Sequence, residues 1–355
     1  MTLYLNKITY NKSIILLLPS LFFLWILFGF SSEVLDSAQY KIFYDYLAIH
    51  TTYPGVEIGF SYFMHFCNVL GLSYQQFLMV YSAVGLILIG KFIQKYTNNP
   101  LSVILCYLLH PFVFEICQIR NFMASAFFVY GIIFLIENKK NANLKYIFTI
   151  TIACLFHRSA VVYFLVLFVR LKWKKFVRIL LWTMLFEIII VFVLLKFGGS
   201  ILSVLSMFSK LTHYISSDSN TRFATKFFFM LYYCALGFVL YSILHCKKFV
   251  ENSNTAFIQI ACKILAISFV FFPLFFISMD FERFTRNMLL IYYILSTNYV
   301  IFKIKHRCET SVAELVTIIL TIAIIFFLSF LFSYESTVLP AFTNNLILNG
   351  QFIYK

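Results

Sequence analysis

Residues 101–136 read LSVILCYLLHPFVFEICQIRNFMASAFFVYGIIFLI, two apolar runs joined by Gln118-Ile119-Arg120-Asn121. A transmembrane helix needs about 20 predominantly apolar residues, and each run supplies most of that length. An arginine is costly near hydrocarbon, so its position between two such runs indicates a membrane boundary that carries a functional group. This stretch therefore predicts an all-α, polytopic membrane protein.

The rest of the chain repeats this pattern. Of its 355 residues, 62% are hydrophobic and 12% are charged, whereas a soluble domain carries roughly 25% charged residues. A water-soluble fold is therefore excluded, and the length predicts a single integral-membrane domain, residues 1–355, with about eleven transmembrane helices. The predicted spans lie near residues 14–30, 77–92, 101–116, 121–136, 145–156, 159–171, 176–197, 226–246, 257–278, 284–302 and 312–332.

The net charge of +14 comes mainly from short tufts of Lys and Arg between apolar segments. Such tufts mark the cytoplasmic loops of membrane proteins, so we expect no binding to nucleic acid. The eight cysteines include no CxxC pair and no Cys/His spacing typical of zinc ligands. We therefore expect neither a metal site nor a disulfide framework.

The distribution of Lys and Arg also predicts the orientation of the chain. Segment 57–72 is ambiguous, because it is apolar enough to be counted as a further span. We interpret it as an amphipathic helix lying flat on the membrane, because most Lys and Arg then fall on one side. Its lipid-facing residues are expected to be Phe60, Phe63, Met64 and Phe66. The N-terminus is then inside and the C-terminus outside, with outer segments at 31–76, 198–225 and 333–355.

In this orientation four polar clusters share the outer side. They are Tyr53-Pro54-Gly55-Val56-Glu57, Gln118-Ile119-Arg120-Asn121, His157-Arg158-Ser159 and residues 280–286. A multi-span protein does not need Arg, His and Glu together on one side in order to fold. Since such groups are costly near hydrocarbon, their convergence predicts a functional site.

The arginines of these clusters are candidate ligands for phosphate. Arg120 lies just before a predicted helix, where backbone N–H groups favour an anion, and a guanidinium suits phosphate oxygens. Arg283 and Arg286 are three residues apart and share a face if the backbone is helical. They either clamp a diphosphate or are neutralised by Asp280 and Glu282.

His157 and Glu57 are the candidate catalytic residues. An imidazole can act as a general base. Glu57 either activates an acceptor hydroxyl or only interacts with the dipole of the surface helix that it begins. The remaining candidates for substrate binding are Arg158, Asp45, Tyr53, Asn121 and Gln118. Tyrosine faces in the first outer segment suit sugar rings, although an interfacial aromatic belt also uses tyrosine.

These residues resemble those of the EpsG family of exopolysaccharide polymerases, which is related in function to the Wzy-type polymerases of O-antigen and capsule. The resemblance covers about residues 30–300, and the last span and tail, 312–355, match only loosely. It rests on Tyr44, Pro54, Glu57-Gly59-Phe60, Gln118-Ile119-Arg120-Asn121 with Ala124, Phe156-His157-Arg158-Ser159-Ala160, and Arg283. Members of the family often have Gln where Asn121 stands here, which weakens the case for that side chain but not for Arg120.

The resemblance implies a GT-C-like helical fold in the bacterial inner membrane, with a periplasmic amphipathic helix after the first span. It also implies transfer of a growing glycan from undecaprenyl diphosphate to a hydroxyl of a lipid-linked repeat unit, without a metal or other cofactor. Displacement from one face predicts inversion at the anomeric carbon. The partners expected are these lipid-linked oligosaccharides, the bilayer and a chain-length regulator protein.

Three alternatives remain open. A flippase for lipid-linked oligosaccharides predicts charges at mid-membrane positions, but only Glu187 and Lys263 lie away from the ends of the predicted spans. A membrane O-acyltransferase would use His157 as a base but needs no cluster of arginines. An O-antigen ligase differs only in its acceptor, which the sequence does not identify.

Overall fold

The described part of the protein is mainly helical. The computed structural model describes residues 2–204, 223–252, 254–306, 316, 318–324, 327 and 334–350. Helices α1 to α8 are Thr2–Gly29, Ser37–Tyr46, Ile58–Val69, Tyr74–Tyr96, Pro100–Tyr107, Val113–Cys117, Ile119–Glu137 and Ala142–Phe156. Helices α9 to α15 are Trp173–Val204, Phe223–His245, Lys247–Asn252, Thr255–Ser268, Glu282–Arg286, Leu289–Lys305 and Leu339–Thr343. No β-strand occurs among these residues, in agreement with the all-α prediction.

The apolar helices indicate a membrane protein. Among the described residues, five helical segments are long and apolar enough to cross a membrane, Tyr74–Tyr96, Pro100–Cys117, Ile119–Glu137, Trp173–Leu194 and Thr255–Phe276. Three shorter apolar helices are Ile14–Gly29, Ala142–Phe156 and Met230–His245. The predicted span at 159–171 forms a 3₁₀-helix, Arg158–Arg170, and most of 312–332 lies outside the described residues. The count of about eleven spans stays a prediction.

The chain divides into two compact units. The first contains Met1–Phe164, Tyr293–Ile301 and Phe326–Lys355, and the second contains Leu165–Tyr292 and Phe302–Ile325. That both units belong to a single integral-membrane domain stays a prediction. Of the predicted outer segment 198–225, the first residues continue α9 as far as Val204, whereas 205–222 lie outside the described residues.

In the first unit α4 packs against both α1 and α7, and α8 packs against α7. Trp25 Nε1 donates a hydrogen bond of 2.8 Å to Met79 O, so the end of α1 lies beside the start of α4. Lys95 and Glu137 form an ion pair at the far ends of α4 and α7. The two helices therefore run parallel, with both starts at the end of the unit opposite this ion pair.

The loop between α1 and α4 begins and ends at the same end of the first unit. Gln75 Nε2 donates to Ser31 O at 3.3 Å, and Tyr44 OH donates to Leu72 O at 2.7 Å. These bonds join the loop to the start of α4 and tie α2 to the end of α3. The loop can therefore leave and return on the same side of the membrane, as the surface-helix interpretation requires. Its position on a membrane stays a prediction.

Helix α3 is amphipathic, but its exposed face differs from the one expected. Phe60 and Met64 are fully buried, and the ring of Phe60 contacts those of Phe77 and Tyr81. The expectation that Phe60 and Met64 face lipid is therefore wrong, because the helix turns them into the bundle. The exposed apolar stripe consists of Ile58, Tyr62, Phe66 and Val69.

The segment before α7 is not a continuous α-helix. Pro111 lacks a backbone N–H and interrupts the hydrogen-bond ladder. Helices α5 and α6 are joined by a kinked turn, Leu108–Phe112, in which the backbone of His110 is extended rather than helical. Beyond the turn, the buried carboxylate of Glu115 accepts hydrogen bonds from Tyr107 OH and from Ser125 Oγ at 3.1 Å. These bonds attach α6 to α5 and α7, and so fix the chain just ahead of Arg120.

In the second unit, the 3₁₀-helix Phe269–Phe276 packs against α9 and α12. Lys263 Nζ donates to Val169 O and Leu171 O, both at 2.8 Å. A lysine that bonds the last carbonyl groups of a helix satisfies acceptors that have no partner within it. A structural role thus accounts for this charge inside a predicted span.

The C-terminal segment of the described chain returns to the end of α1. Asn345 is fully buried, and its Nδ2 donates to Ile26 O at 2.9 Å. Ser32 N donates to Asn344 O at 3.0 Å, and Leu346 N donates to Phe30 O at 2.9 Å. Residues 344–346 therefore lie at the end of the first unit that also carries the first loop. The prediction that 333–355 is an outer tail remains untested with respect to a membrane.

Candidate functional site

Glu57 lies at the centre of a polar cluster that joins three distant parts of the sequence. Its Oε2 accepts a hydrogen bond from Arg120 Nη1 at 2.6 Å. Its Oε1 lies 3.3 Å from His157 Nδ1 and accepts a bond of 3.1 Å from the backbone N–H of Arg158. The structure therefore brings together Glu57, Arg120, His157 and Arg158, which we call the Glu57 cluster.

Three helix ends supply the members of this cluster. Glu57 is the residue before α3, Arg120 is the second residue of α7, and His157 follows directly after α8. Glu57 has an extended backbone, and its side chain forms no capping bond with α3. The carboxylate is directed instead at the basic residues, so the helix-dipole explanation of Glu57 is insufficient.

A close approach of α3 to α8 determines how near Glu57 and His157 come. Gly59 lies against Leu155, and a Cβ atom at Gly59 would be 2.7 Å from Leu155 Cβ and 2.9 Å from Leu155 O. Only glycine leaves room for this backbone contact. Because Gly59 is two residues after Glu57 and Leu155 is two before His157, the contact sets their separation.

The electrostatics of the cluster keep Glu57 ionised. Its side chain is only 6% exposed, and this burial by itself raises the carboxyl pKa. The His157 hydrogen bond, the Arg120 charge and the Arg158 backbone N–H outweigh the effect of burial, and they lower the pKa from 4.5 to about 2. A carboxylate with so low a pKa is a weak base, so its geometry suits orientation of its neighbours better than proton abstraction.

The contact with Glu57 favours one tautomer of His157. An ionised carboxylate only accepts hydrogen bonds, so a bond between Glu57 Oε1 and His157 Nδ1 requires the proton on Nδ1. In the neutral imidazole the lone pair is then on Nε2. This is the arrangement of a histidine that a carboxylate orients for general-base catalysis.

Tyr40 is a member of the site that the sequence analysis did not single out. Its ring centroid lies 5.9 Å from the guanidinium carbon of Arg120, and the side chain is buried. Burial raises the pKa of the Tyr40 hydroxyl, while the nearby Arg120 charge lowers it. Tyr40 also lines a small cavity of about 10 Å³, together with Ser31, Ser32 and Tyr74. In the sequence, the only indication that Tyr40 belongs to the site was its position among the tyrosines of the first loop.

The other candidate residues of the first unit differ in position and burial. Gln118 is the residue before α7, and Asn121 is buried in its first turn. The side chain of Arg158 is exposed, so this residue joins the cluster through its backbone. Asp45 is exposed at the end of α2, and Tyr53 contacts the rings of Phe43 and Tyr46.

Arg283 and Arg286 belong to the second unit, and each has a nearby carboxylate. Arg283 Nη2 lies 3.1 Å from Asp280 Oδ1, and its Nε donates to Asp280 O at 2.7 Å. Arg286 Nη1 lies 3.2 Å from Glu282 Oε2, and the residue is buried. These ion pairs agree with the alternative that Asp280 and Glu282 neutralise the two arginines. A role for both arginines at a diphosphate stays a prediction.

Among the described residues there is no group of three or more His, Cys, Asp or Glu side chains that could hold a metal ion. The Glu57 cluster itself offers a guanidinium, an imidazole and a carboxylate. Together these groups can bind an anion and accept a proton.

The model of the EpsG family matches residues 14–344, nearly the whole chain. The match extends past the 30–300 region of the resemblance and includes most of the segment that had matched only loosely. No curated protein and no solved structure matches the chain significantly.

Proposed function

The chain belongs to the EpsG family, and on this premise we propose that it is a Wzy-like polysaccharide polymerase. It would transfer a growing glycan from undecaprenyl diphosphate to a hydroxyl of a lipid-linked repeat unit, at the periplasmic face of the bacterial inner membrane. The observation that carries the proposal is the Glu57 cluster, in which Arg120 and His157 share one carboxylate. An anion ligand and a base are the two groups that this displacement requires.

Arg120 is proposed to bind the diphosphate of the donor. One of its terminal nitrogens is engaged by Glu57, while its Nε has no hydrogen-bond partner among the described residues. A guanidinium carries five N–H donors, so it can keep the bond to Glu57 and also donate to phosphate oxygens. A positioned charge stabilises the negative charge that develops on the leaving group, by roughly 1.5–3 kcal/mol for each ordinary charged hydrogen bond.

His157 is proposed to be the base. As the acceptor oxygen forms its bond to the anomeric carbon, the hydroxyl proton passes to Nε2 of His157. The bond from the anomeric carbon to the phosphate oxygen breaks, and undecaprenyl diphosphate leaves with its electron pair beside Arg120. Attack opposite the leaving group inverts the anomeric carbon, and neither a metal nor a cofactor takes part.

Glu57 is proposed to be a positioning residue rather than a base. Its pKa of about 2 makes it a poor proton acceptor, and its bonds hold Arg120 and His157 in place. Arg283 and Arg286 remain candidate ligands of the diphosphate on the strength of the sequence alone. Asp45, Tyr53, Asn121, Gln118 and Arg158 remain candidates for contacts with the sugars.

The experiment uses a host that lacks this gene. It is complemented with the wild type, with Arg120→Ala or with His157→Ala at matched membrane levels, and the lipid-linked glycans are separated by size. We expect single repeat units to accumulate on the periplasmic side in the deletion strain and in both variants, and polymer with the wild type. Single units retained on the cytoplasmic side would instead indicate a flippase. Polymer of unchanged length with altered acylation would indicate an acyltransferase.

A further inference from the structure

A continuous row of aromatic rings leads from Arg120 to the surface of the first loop. The Tyr40 ring lies 5.9 Å from the Arg120 guanidinium, and Phe43 lies 6.0 Å from Tyr40 between ring centroids. Tyr53 follows at 4.4 Å from Phe43. Tyr46 lies 5.0 Å from Tyr53. We call these rings, with His50 beside Tyr46, the aromatic row.

The outer end of the aromatic row is exposed and fixed in position. Tyr46 and His50 stack with centroids 4.0 Å apart and planes inclined by 8°, and His50 Nδ1 lies 3.2 Å from Tyr46 O. Tyr46 is 37% exposed, and His50 is also exposed, whereas Tyr53 is half-buried. The buried inner rings of Tyr40 and Phe43 hold this end in a defined position relative to Arg120.

We propose that Tyr46, His50 and Tyr53 form a glycan-binding surface that holds sugars of the lipid-linked oligosaccharide while its reacting end is at the Glu57 cluster. This proposal rests on the proposed function and adds a substrate contact to it. Sugar rings present CH faces that pack on aromatic rings, and their hydroxyls bond to polar edges. The tyrosine hydroxyls, the imidazole and the exposed carboxylate of Asp45 supply those edges.

Two features favour a glycan over lipid as the occupant. The exposed rings are continuous with the buried rings that end at Arg120, so a ligand on them is held at a fixed distance from the proposed reaction centre. His50 also places an imidazole at this surface, and Asp45, the residue before Tyr46, is exposed; such groups are costly to bury in a bilayer. The exposed apolar stripe of α3 provides a separate surface that is better suited to lipid.

The test measures binding of short oligosaccharides, released by mild acid from the host's own polymer, to full-length protein in lipid nanodiscs. All variants are made in the His157→Ala background, so that no turnover occurs. We expect Tyr46→Leu and Tyr53→Leu each to weaken binding by about 2- to 10-fold, because leucine keeps an apolar side chain but lacks an aromatic face. Tyr46→Phe, which keeps the ring, is expected to stay within about twofold of the parent.

Tyr62→Leu is the matched control. Tyr62 is 50% exposed on α3 in the same loop and lies outside the aromatic row, so its replacement is expected to leave oligosaccharide binding unchanged. Thermal unfolding of each variant checks that it is folded. Equal losses for Tyr62→Leu and Tyr46→Leu would overturn the proposal, because they would indicate a general effect of contact with the membrane.

Failure of this inference is distinguishable from failure of the proposed function. If Tyr46→Leu and Tyr53→Leu bind oligosaccharide as tightly as the parent, or the parent does not bind it, the glycan-binding surface is wrong. Whether the wild type makes polymer in the deletion host is measured separately. Polymer from the wild type together with unchanged binding would reject the surface and leave the polymerase proposal intact.

Discussion

At the scale of single residues, the charges of the Glu57 cluster depend on one another. Glu57 is 6% exposed and Arg120 is 27% exposed in their side chains, so neither charge is fully hydrated. Removing one member of a buried ion pair leaves the other uncompensated, which costs more than the pair contributes in net terms. We therefore expect any substitution that removes the charge of Glu57 to lower both polymer formation and the stability of the fold.

Glu57→Gln tests the positioning role. The amide keeps the volume but cannot accept bonds from Arg120, His157 and Arg158 as a carboxylate does, so polymer formation is expected to fall by roughly 10²-fold or more. Polymer yield in the deletion host measures the change. Glu33→Gln, at an exposed carboxylate of the same loop, serves as the control and is expected to retain activity. A Glu57→Gln protein with normal activity would contradict the assignment.

The low pKa of Glu57 gives a prediction for stability against pH. Because the folded state lowers the pKa from 4.5 to about 2, ionised Glu57 favours folding, and its contribution is complete above about pH 4.5. This contribution is lost as pH falls through about 2. Thermal unfolding in detergent should thus show wild type more stable than Glu57→Gln, by about 1–3 kcal/mol near neutral pH. The difference should shrink only below pH 4.5, and loss already at pH 6 would refute the low pKa.

At the scale of elements, the site depends on the contact of α3 with α8. Gly59→Ala would place a methyl group 2.9 Å from the backbone oxygen of Leu155, which cannot move aside as a flexible side chain can. The helices must then separate, and we expect a cost of about 1–3 kcal/mol in the free energy of unfolding. Glu57 would move away from His157, so polymer yield should fall about tenfold or more.

Gly237→Ala is the matched control for this change. A Cβ at Gly237 would meet the Phe269 ring at 3.4 Å, an ordinary van der Waals distance. We expect this variant to be as active as the wild type and to unfold at a similar temperature. If Gly59→Ala behaves as Gly237→Ala does, the close approach does not set the geometry of the cluster.

At the scale of the whole molecule, the orientation in the membrane is open to direct measurement. The Glu57 cluster and the Lys95–Glu137 pair lie at opposite ends of the first unit, and the positive-inside tendency favours the lysine end in the cytoplasm. In a variant whose eight cysteines are replaced by serine, Thr51→Cys should react with an impermeant maleimide in spheroplasts. Lys140→Cys should react only after permeabilisation, and the reverse pattern would invert the proposed topology.

The sequence by itself determined the class of this protein. A composition that is 62% hydrophobic, arranged in long apolar runs, leaves little alternative to helices in a membrane, because lipid provides no partner for exposed backbone groups. The same local patterns identified Glu57, Arg120 and His157 as unusual, since their neighbours are apolar. Such information is contained in short stretches of sequence, so it can be recognised without knowledge of the tertiary structure.

Only the tertiary structure decided how these residues meet. Glu57 is 63 positions from Arg120 and 100 from His157, and no local pattern specifies a bond over such separations. Helix packing, with Gly59 against Leu155, creates it. The same packing placed Phe60 and Met64 inside and brought Tyr40 beside Arg120. A helical period shows that a face is apolar, but only packing decides whether protein or lipid covers it.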